Sequence, residues 1–169
     1  MRLRPTIPID EWRIATHLEA SRLVQSHPKS PATGCECLCC RNWRLVAKEV
    51  LPKELQQQLL RFGIQSERPS DAYVFEQKDQ GAHCRIVYHV VGKLLSGPVV
   101  INEDPKLGRV LHYKQIRSQP QYVSLAVLPS KEAYSMGSEL EDQSAGDLLQ
   151  IELRLYVPWH PSLAAESTP

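Results

Sequence analysis

No stretch of this 169-residue chain approaches the ~18 consecutive apolar residues that a bilayer-crossing helix needs, which argues against a helical membrane protein. The N-terminus, MRLRPTIPIDEW, has two arginines but no apolar run behind them, so it is not expected to act as a secretory signal. There is no marked excess of one charge: the net charge is +1 and the isoelectric point is near 7.7. A nucleic-acid-binding domain ordinarily carries a basic stripe, so neither a membrane nor a nucleic acid is the expected partner, and the cytoplasm is the expected location. The segments GKLLSGP and DPKLGR pair glycine with lysine but lack the G-x-x-x-x-G-K-[ST] spacing that cradles phosphates. H-E-x-x-H, G-x-S-x-G and a dinucleotide fingerprint are missing too. No repeat or low-complexity tract divides the chain, and its length suits a single domain spanning 1–169, with Pro- and Ser-rich ends at about 1–8 and 160–169 expected to fray.

What the sequence does contain is concentrated in one place. The stretch TGCECLCCRNW, residues 33–43, holds four of the five cysteines within six positions. A disulfide framework would spread them out and use an even number, so reduced thiols are expected. Cys37 and Cys40 form a C-x-x-C, a spacing at which two thiolates can bind one tetrahedral zinc ion. A second C-x-x-C is missing. Completion of a zinc site would fall to Cys35, two residues upstream, or to Cys84, His83 or His89 on a later strand. His83 and Cys84 are strand neighbours and point to opposite faces, which makes them alternatives. Cys39 is expected to point elsewhere. Two other readings remain open. Buried cysteines can act as small apolar residues. A C-x-x-C at a helix N-terminus, with Arg41 and Arg44 nearby, can also lower a thiol pKa for redox chemistry, although the strand–helix–strand context of a thioredoxin-like motif is missing. His89, between valines, reads equally well as a core histidine.

Periodicity outlines an α+β domain with five to seven mainly antiparallel strands and a helical pair at about 43–62 packed on one face. Trp12, Ile14, Thr16 and Leu18 alternate like a half-buried strand. Residues 26–34 read as a loop. Trp43, Val46, Ala47, Val50 and Leu51 recur at helical spacing, with Asn42 as the expected N-cap. A second helix follows Pro52 and stops at Gly63. From residue 71 the period becomes two: a hairpin turns at KDQG into a long strand buried on both faces, with Ile86, Tyr88 and Val90 opposite Val87, His89 and Val91. Two short strands flank EDPKLG and another covers QYVSLAVLP. In DLLQIELRLYVPWH, Leu149, Ile151, Leu153, Leu155 and Val157 face in, while Gln150, Glu152 and Arg154 face out.

The segments CECLCCRNW, YHVVGKL and the terminal PWH resemble a family of small uncharacterised bacterial proteins that share C-x-x-C-R-N-[WF], an aromatic-Y-H-x-V-G strand and a final strand before P-W. Here the matching residues are Cys37, Cys40, Arg41, Asn42 and Trp43; Tyr88, His89 and Gly92; and Pro158 and Trp159. The chain departs from the pattern in having valine before Tyr88 and in carrying Cys35 and Cys39. The resemblance implies no activity, but it implies that Cys37, Cys40 and His89 belong together.

Charge is unevenly placed. Residues 1–53 hold nine Lys/Arg against five Asp/Glu, whereas residues 131–169 hold two against seven. The function expected from the sequence is a soluble bacterial binding or interaction protein, with another protein as partner and a cysteine-based zinc site in its fold. An alternative is a toxin-neutralising immunity protein that uses the acidic 130–147 segment, with Glu139, Glu141 and Asp142, as its binding surface. The other alternative is a thiol redox protein.

Overall fold

The computed structural model describes residues 4–28, 30, 32–133 and 147–166. The fold is α+β. Strands β1 (Thr6–Ile9) and β2 (Trp12–Thr16) form a hairpin, followed by α1 (Leu18–Gln25), α2 (Leu38–Val50) and α3 (Lys53–Arg61). Then come β3 (Asp71–Lys78), β4 (Gly81–Ser96), β5 (Ile101–Asp104), β6 (Gly108–Leu111), β7 (Lys114–Arg117), β8 (Val123–Pro129) and β9 (Leu148–Pro158). Seven strands make one antiparallel sheet in the order β1-β2-β4-β9-β8-β7, with β3 also paired to β4; β5 and β6 form a separate hairpin. The acidic segment proposed for immunity-type binding falls mainly in residues 134–146, outside the described residues.

Strand alternation on β4 and β9 gives the sheet two unlike faces. Cys84, Ile86, Tyr88 and Val90 pair across the ladder with Leu155, Leu153, Ile151 and Leu149. These residues share one core with Trp43, Val46, Ala47 and Val50 of α2 and with Leu55 and Leu59 of α3. The helical pair therefore covers this face. Large side chains such as Trp43, Phe62 and Tyr88 are almost fully buried, each contributing about 2–3 kcal/mol of transfer free energy. Helix α3 ends in a Schellman motif: Gly63, at φ +79°, donates to Leu60 O, and the Ile64 amide donates to Leu59 O.

On the other face, Val87, His89 and Val91 pair with Glu152, Gln150 and Leu148. Gln150 and Glu152, expected to face solvent, are buried. Alternation fixes the face but not what covers it, and here α1 packs Ala20 and Val24 against Val91 and Leu148. The expected strand through Leu18 stops at Thr16, and a helix starts in its place, with the His17 ring accepting from the Ala20 amide. Helix α1 also fills a gap in the sheet. β3 leaves the edge of β4 at Val87, and β2 joins the same edge at Gly92. Between them the Ser21 hydroxyl accepts from the Val91 amide (2.8 Å), and the Gln25 amide donates to His89 O (3.4 Å). The His17 amide donates to Val91 O (2.8 Å).

Within the two stretches expected to fray, the described residues include ordered structure: Thr6–Ile9 is a strand, and Pro161–Glu166 forms 3₁₀ turns. Asn42, expected as an N-cap, lies inside α2, whose N-cap is Cys37. Asn42 is buried and clamps the end of β9: its amide donates to Pro158 O (2.9 Å), and its carbonyl accepts from the His160 amide (2.7 Å). Next to it, the Trp43 indole donates to Ser66 O (2.9 Å), which also accepts from the Tyr88 hydroxyl. Asn42→Ala removes two hydrogen bonds and leaves buried backbone groups unmatched. Urea denaturation should show a loss of about 2–3 kcal/mol, and Trp43→Phe, which loses the donor and leaves a void where the larger indole was, should cost a comparable amount.

Candidate metal centre

The cysteine corner is built by a turn and a helix start. Gly34 takes φ +73°, and the Cys35 amide returns to Ala32 O, so the chain bends just before the first cysteine. Cys37 is extended and caps α2, its sulfur accepting from the Cys40 amide at 3.5 Å. The Arg44 guanidinium reaches back from α2 to donate to Cys35 O (2.9 Å) and to pair with Glu36 (3.0 Å), pinning the loop against the helix. As a result the sulfurs of Cys35, Cys37 and Cys40 all lie within 4.8 Å of one another. Three sulfurs bound tetrahedrally to zinc at about 2.3 Å would stand about 3.8 Å apart, so closing on an ion takes at most a small inward movement. Cys40 is buried, Cys35 half-buried and Cys37 exposed, which leaves the corner reachable from solvent.

The thiols are not equivalent. Partial burial works against the Cys37 thiolate, but the Cys40 amide and the thiols of Cys35 and Cys40 donate to it and hold its pKa below the ordinary thiol value. Burial, followed by the neighbouring thiols of Cys35 and Cys37, pushes Cys40 up. Cys39 turns away from the other three, as adjacency to Cys40 suggested. Its hydrogen bond to Cys84, followed by burial, pushes it well above the ordinary range. Cys84 is buried on β4 and stands beside Cys39, outside the three-sulfur group.

His89 is not brought to the cysteines. It lies on the α1 face of β4, paired with Gln150, while Cys84 and Tyr88 occupy the α2 face. Burial pushes its pKa down to about 4, with a side-chain hydrogen bond to the Gln150 carbonyl oxygen opposing. His83 is on that same far face, where its Nδ1 meets the Tyr122 hydroxyl at 2.8 Å. Sequence reasoning missed Arg44 as the brace of the loop and Asn42 as a clamp. The available signal was a polar residue four positions before Val46, at the edge of the apolar stripe of α2.

The far face also carries an aromatic and cationic surface. The Arg154 guanidinium lies 4.2 Å from the centre of the Tyr113 ring and 5.8 Å from that of Phe75, and Arg85 lies 4.5 Å from that of Tyr73. His83 packs among Phe75, Tyr122 and Tyr156. Beneath them, buried Glu152 accepts from the Tyr113 hydroxyl and the Gln150 amide and pairs with Arg85 at 3.4 Å.

No known protein family, curated protein or solved structure matches the chain. Among the described residues, no helix is long and apolar enough to cross a membrane.

Cys37 should alkylate fastest of the five thiols, with a rate-versus-pH midpoint below that of a free thiol, and Cys84 should label only on unfolding; mass mapping after timed iodoacetamide pulses reads both. His89 gives a second prediction. Its folded pKa lies below the unfolded value, so in the window between them the unfolded chain holds the extra proton. Stability is complete above about pH 6.5 and falls toward pH 4, by an amount of order 3 kcal/mol from this residue. Equilibrium unfolding across that range should show a shallower loss for His89→Gln.

Proposed function

We propose that this chain is a protein-binding protein whose loop-to-helix corner is closed by a structural zinc ion held by Cys35, Cys37 and Cys40. The observation that carries this reading is the approach of three sulfurs on a braced turn, where hydrogen bonds hold the Cys37 thiol below its ordinary pKa. Zinc binding displaces thiol protons, and the ion would relieve the crowding of three polar sulfur groups at one helix start. The three sulfurs leave one tetrahedral position to a group from outside this set.

The interaction part of the reading is supported by the far face of the sheet. Tyrosine, phenylalanine and arginine are the side chains enriched at protein interfaces. Here they stand on a rigid ladder, with Phe75 55% exposed. Arg154 forms no ion pair among the described residues, so its charge is open to a partner's carboxylate. The helical pair and its zinc corner occupy the opposite side, so metal and partner would act on separate surfaces.

Metal analysis of untagged protein under reducing conditions should find one zinc per chain. Cys37→Ser and Cys40→Ser should each lower that content at least tenfold and reduce the melting temperature, while Cys84→Ser should leave the stoichiometry unchanged. Metal-free protein with an unaltered melting curve would overturn the zinc reading. Phe75→Ala with Arg154→Ala should abolish partner cross-linking without changing zinc content.

A further inference from the structure

Two adjoining recesses lie where the end of α1 meets the cysteine corner and the turn after α3. The larger, about 320 Å³, is lined by Gln25, Thr33, Cys40, Arg44, Glu67 and Arg68, among others. The smaller, about 160 Å³, includes Arg22, Gly63 and Gln65. Gln25, Ser26 and Arg68 line both, so the two form one groove. Three arginines therefore line this groove: Arg22 in the smaller recess, Arg44 in the larger, and Arg68 in both.

Two carboxylates stand near these arginines, and both are paired, which leaves Arg22 and Arg68 as the excess charge. Glu67, the one carboxylate among the lining residues, pairs with Lys48 at 2.9 Å; burial works to raise its pKa, but the Lys48 bond and its own backbone amide outweigh this and hold it below the ordinary value. Glu36 pairs with Arg44 alone, on the solvent side of the loop. Arg22 and Arg68 form no ion pair among the described residues. Their placement is fixed by the chain. The stem of Arg22 crosses Gly63, where an added Cβ would come within 3.1 Å of its Cγ, so the Schellman glycine leaves room for the arginine to lie flat. Arg68 closes a turn by donating its amide to Gln65 O. A concave surface with an excess of one sign of charge concentrates counter-ions from solution, and a guanidinium binds planar or tetrahedral oxyanions through paired N–H groups. Gln25, Ser26 and Thr33 add neutral hydrogen-bonding groups. The volume is of the size that holds small molecules.

We infer that this groove binds an elongated small molecule carrying more than one oxyanion group, with Arg68 at its centre and Arg22 and Arg44 toward its ends. The proposal stands apart from the zinc reading, since no cysteine sulfur is asked to bind the ligand. Phosphate and carboxylate ligands share this chemistry, and the test separates them. Calorimetric titration of the full chain, with zinc content measured on the same sample, would use tripolyphosphate in one arm and citrate in the other. Saturable one-to-one binding in either arm is expected, and the stronger arm names the class. Arg68→Ala should weaken that binding at least tenfold and Arg22→Ala severalfold, while Arg154→Ala, on the far sheet face, should leave it unchanged. Each variant's melting temperature, held within a few degrees of the parent, would show that folding is intact. If neither anion binds, or if Arg154→Ala weakens binding as much as Arg68→Ala, the groove is not an anion site. Loss of zinc with binding intact would count against the metal reading alone.

Discussion

One backbone carbonyl, that of Ser66, ties the helical layer to the sheet. It accepts from the Trp43 indole on α2 and from the Tyr88 hydroxyl on β4, and all three groups are buried. A buried carbonyl without a partner is costly, and so is a buried indole N–H or phenol O–H. Meeting at one oxygen, the three satisfy one another and fix the height and rotation of α2 over the strand. One residue earlier, Asn42 performs the same service for the end of β9. The start of α2, and with it Cys37 and Cys40, is thereby set against the sheet by side chains that are not sulfur. The cysteine corner is thus carried by a surface that is already rigid, the condition under which a metal-binding constellation keeps its geometry.

This arrangement gives a physical reason for the spacing of the sequence segments. Arg-Asn-Trp, Tyr-His and Pro-Trp are far apart in the chain, yet Asn42 meets Pro158, Trp43 meets Tyr88 through Ser66, and the Trp159 indole donates to Lys78 O at the turn into β4. The histidine of the second segment belongs to the other side. A strand cannot aim Tyr88 and His89 the same way, so the grouping of His89 with Cys37 and Cys40 implied by the resemblance is not realised in the structure.

The α+β class, the central β4, the helical pair and the inward residues of β9 were legible because each rests on a periodic apolar pattern longer than a few residues. The loop-to-helix corner was legible as a cluster but not as a geometry: the sequence places Cys35 near Cys37 and Cys40, while only the positive-φ turn at Gly34 and the Arg44 brace bring its sulfur close. Helix α1 was illegible for a related reason. It has eight residues, and Ser21 and Gln25 meet the sheet with polar atoms, so its apolar stripe is too thin to announce a helix. Gln150 and Glu152 were misread because alternation cannot distinguish a solvent face from one covered by a helix and a ring of tyrosines.

The gap on the edge of β4 has a consequence for how the molecule holds its shape. Along that edge β3 and β2 never touch as a ladder, and the joint between them is bridged by hydroxyl, carboxamide and helix-start groups. The long strand thus carries two ladders on one edge without a continuous sheet there, and α1 supplies at the joint the backbone partners that a third strand would otherwise give.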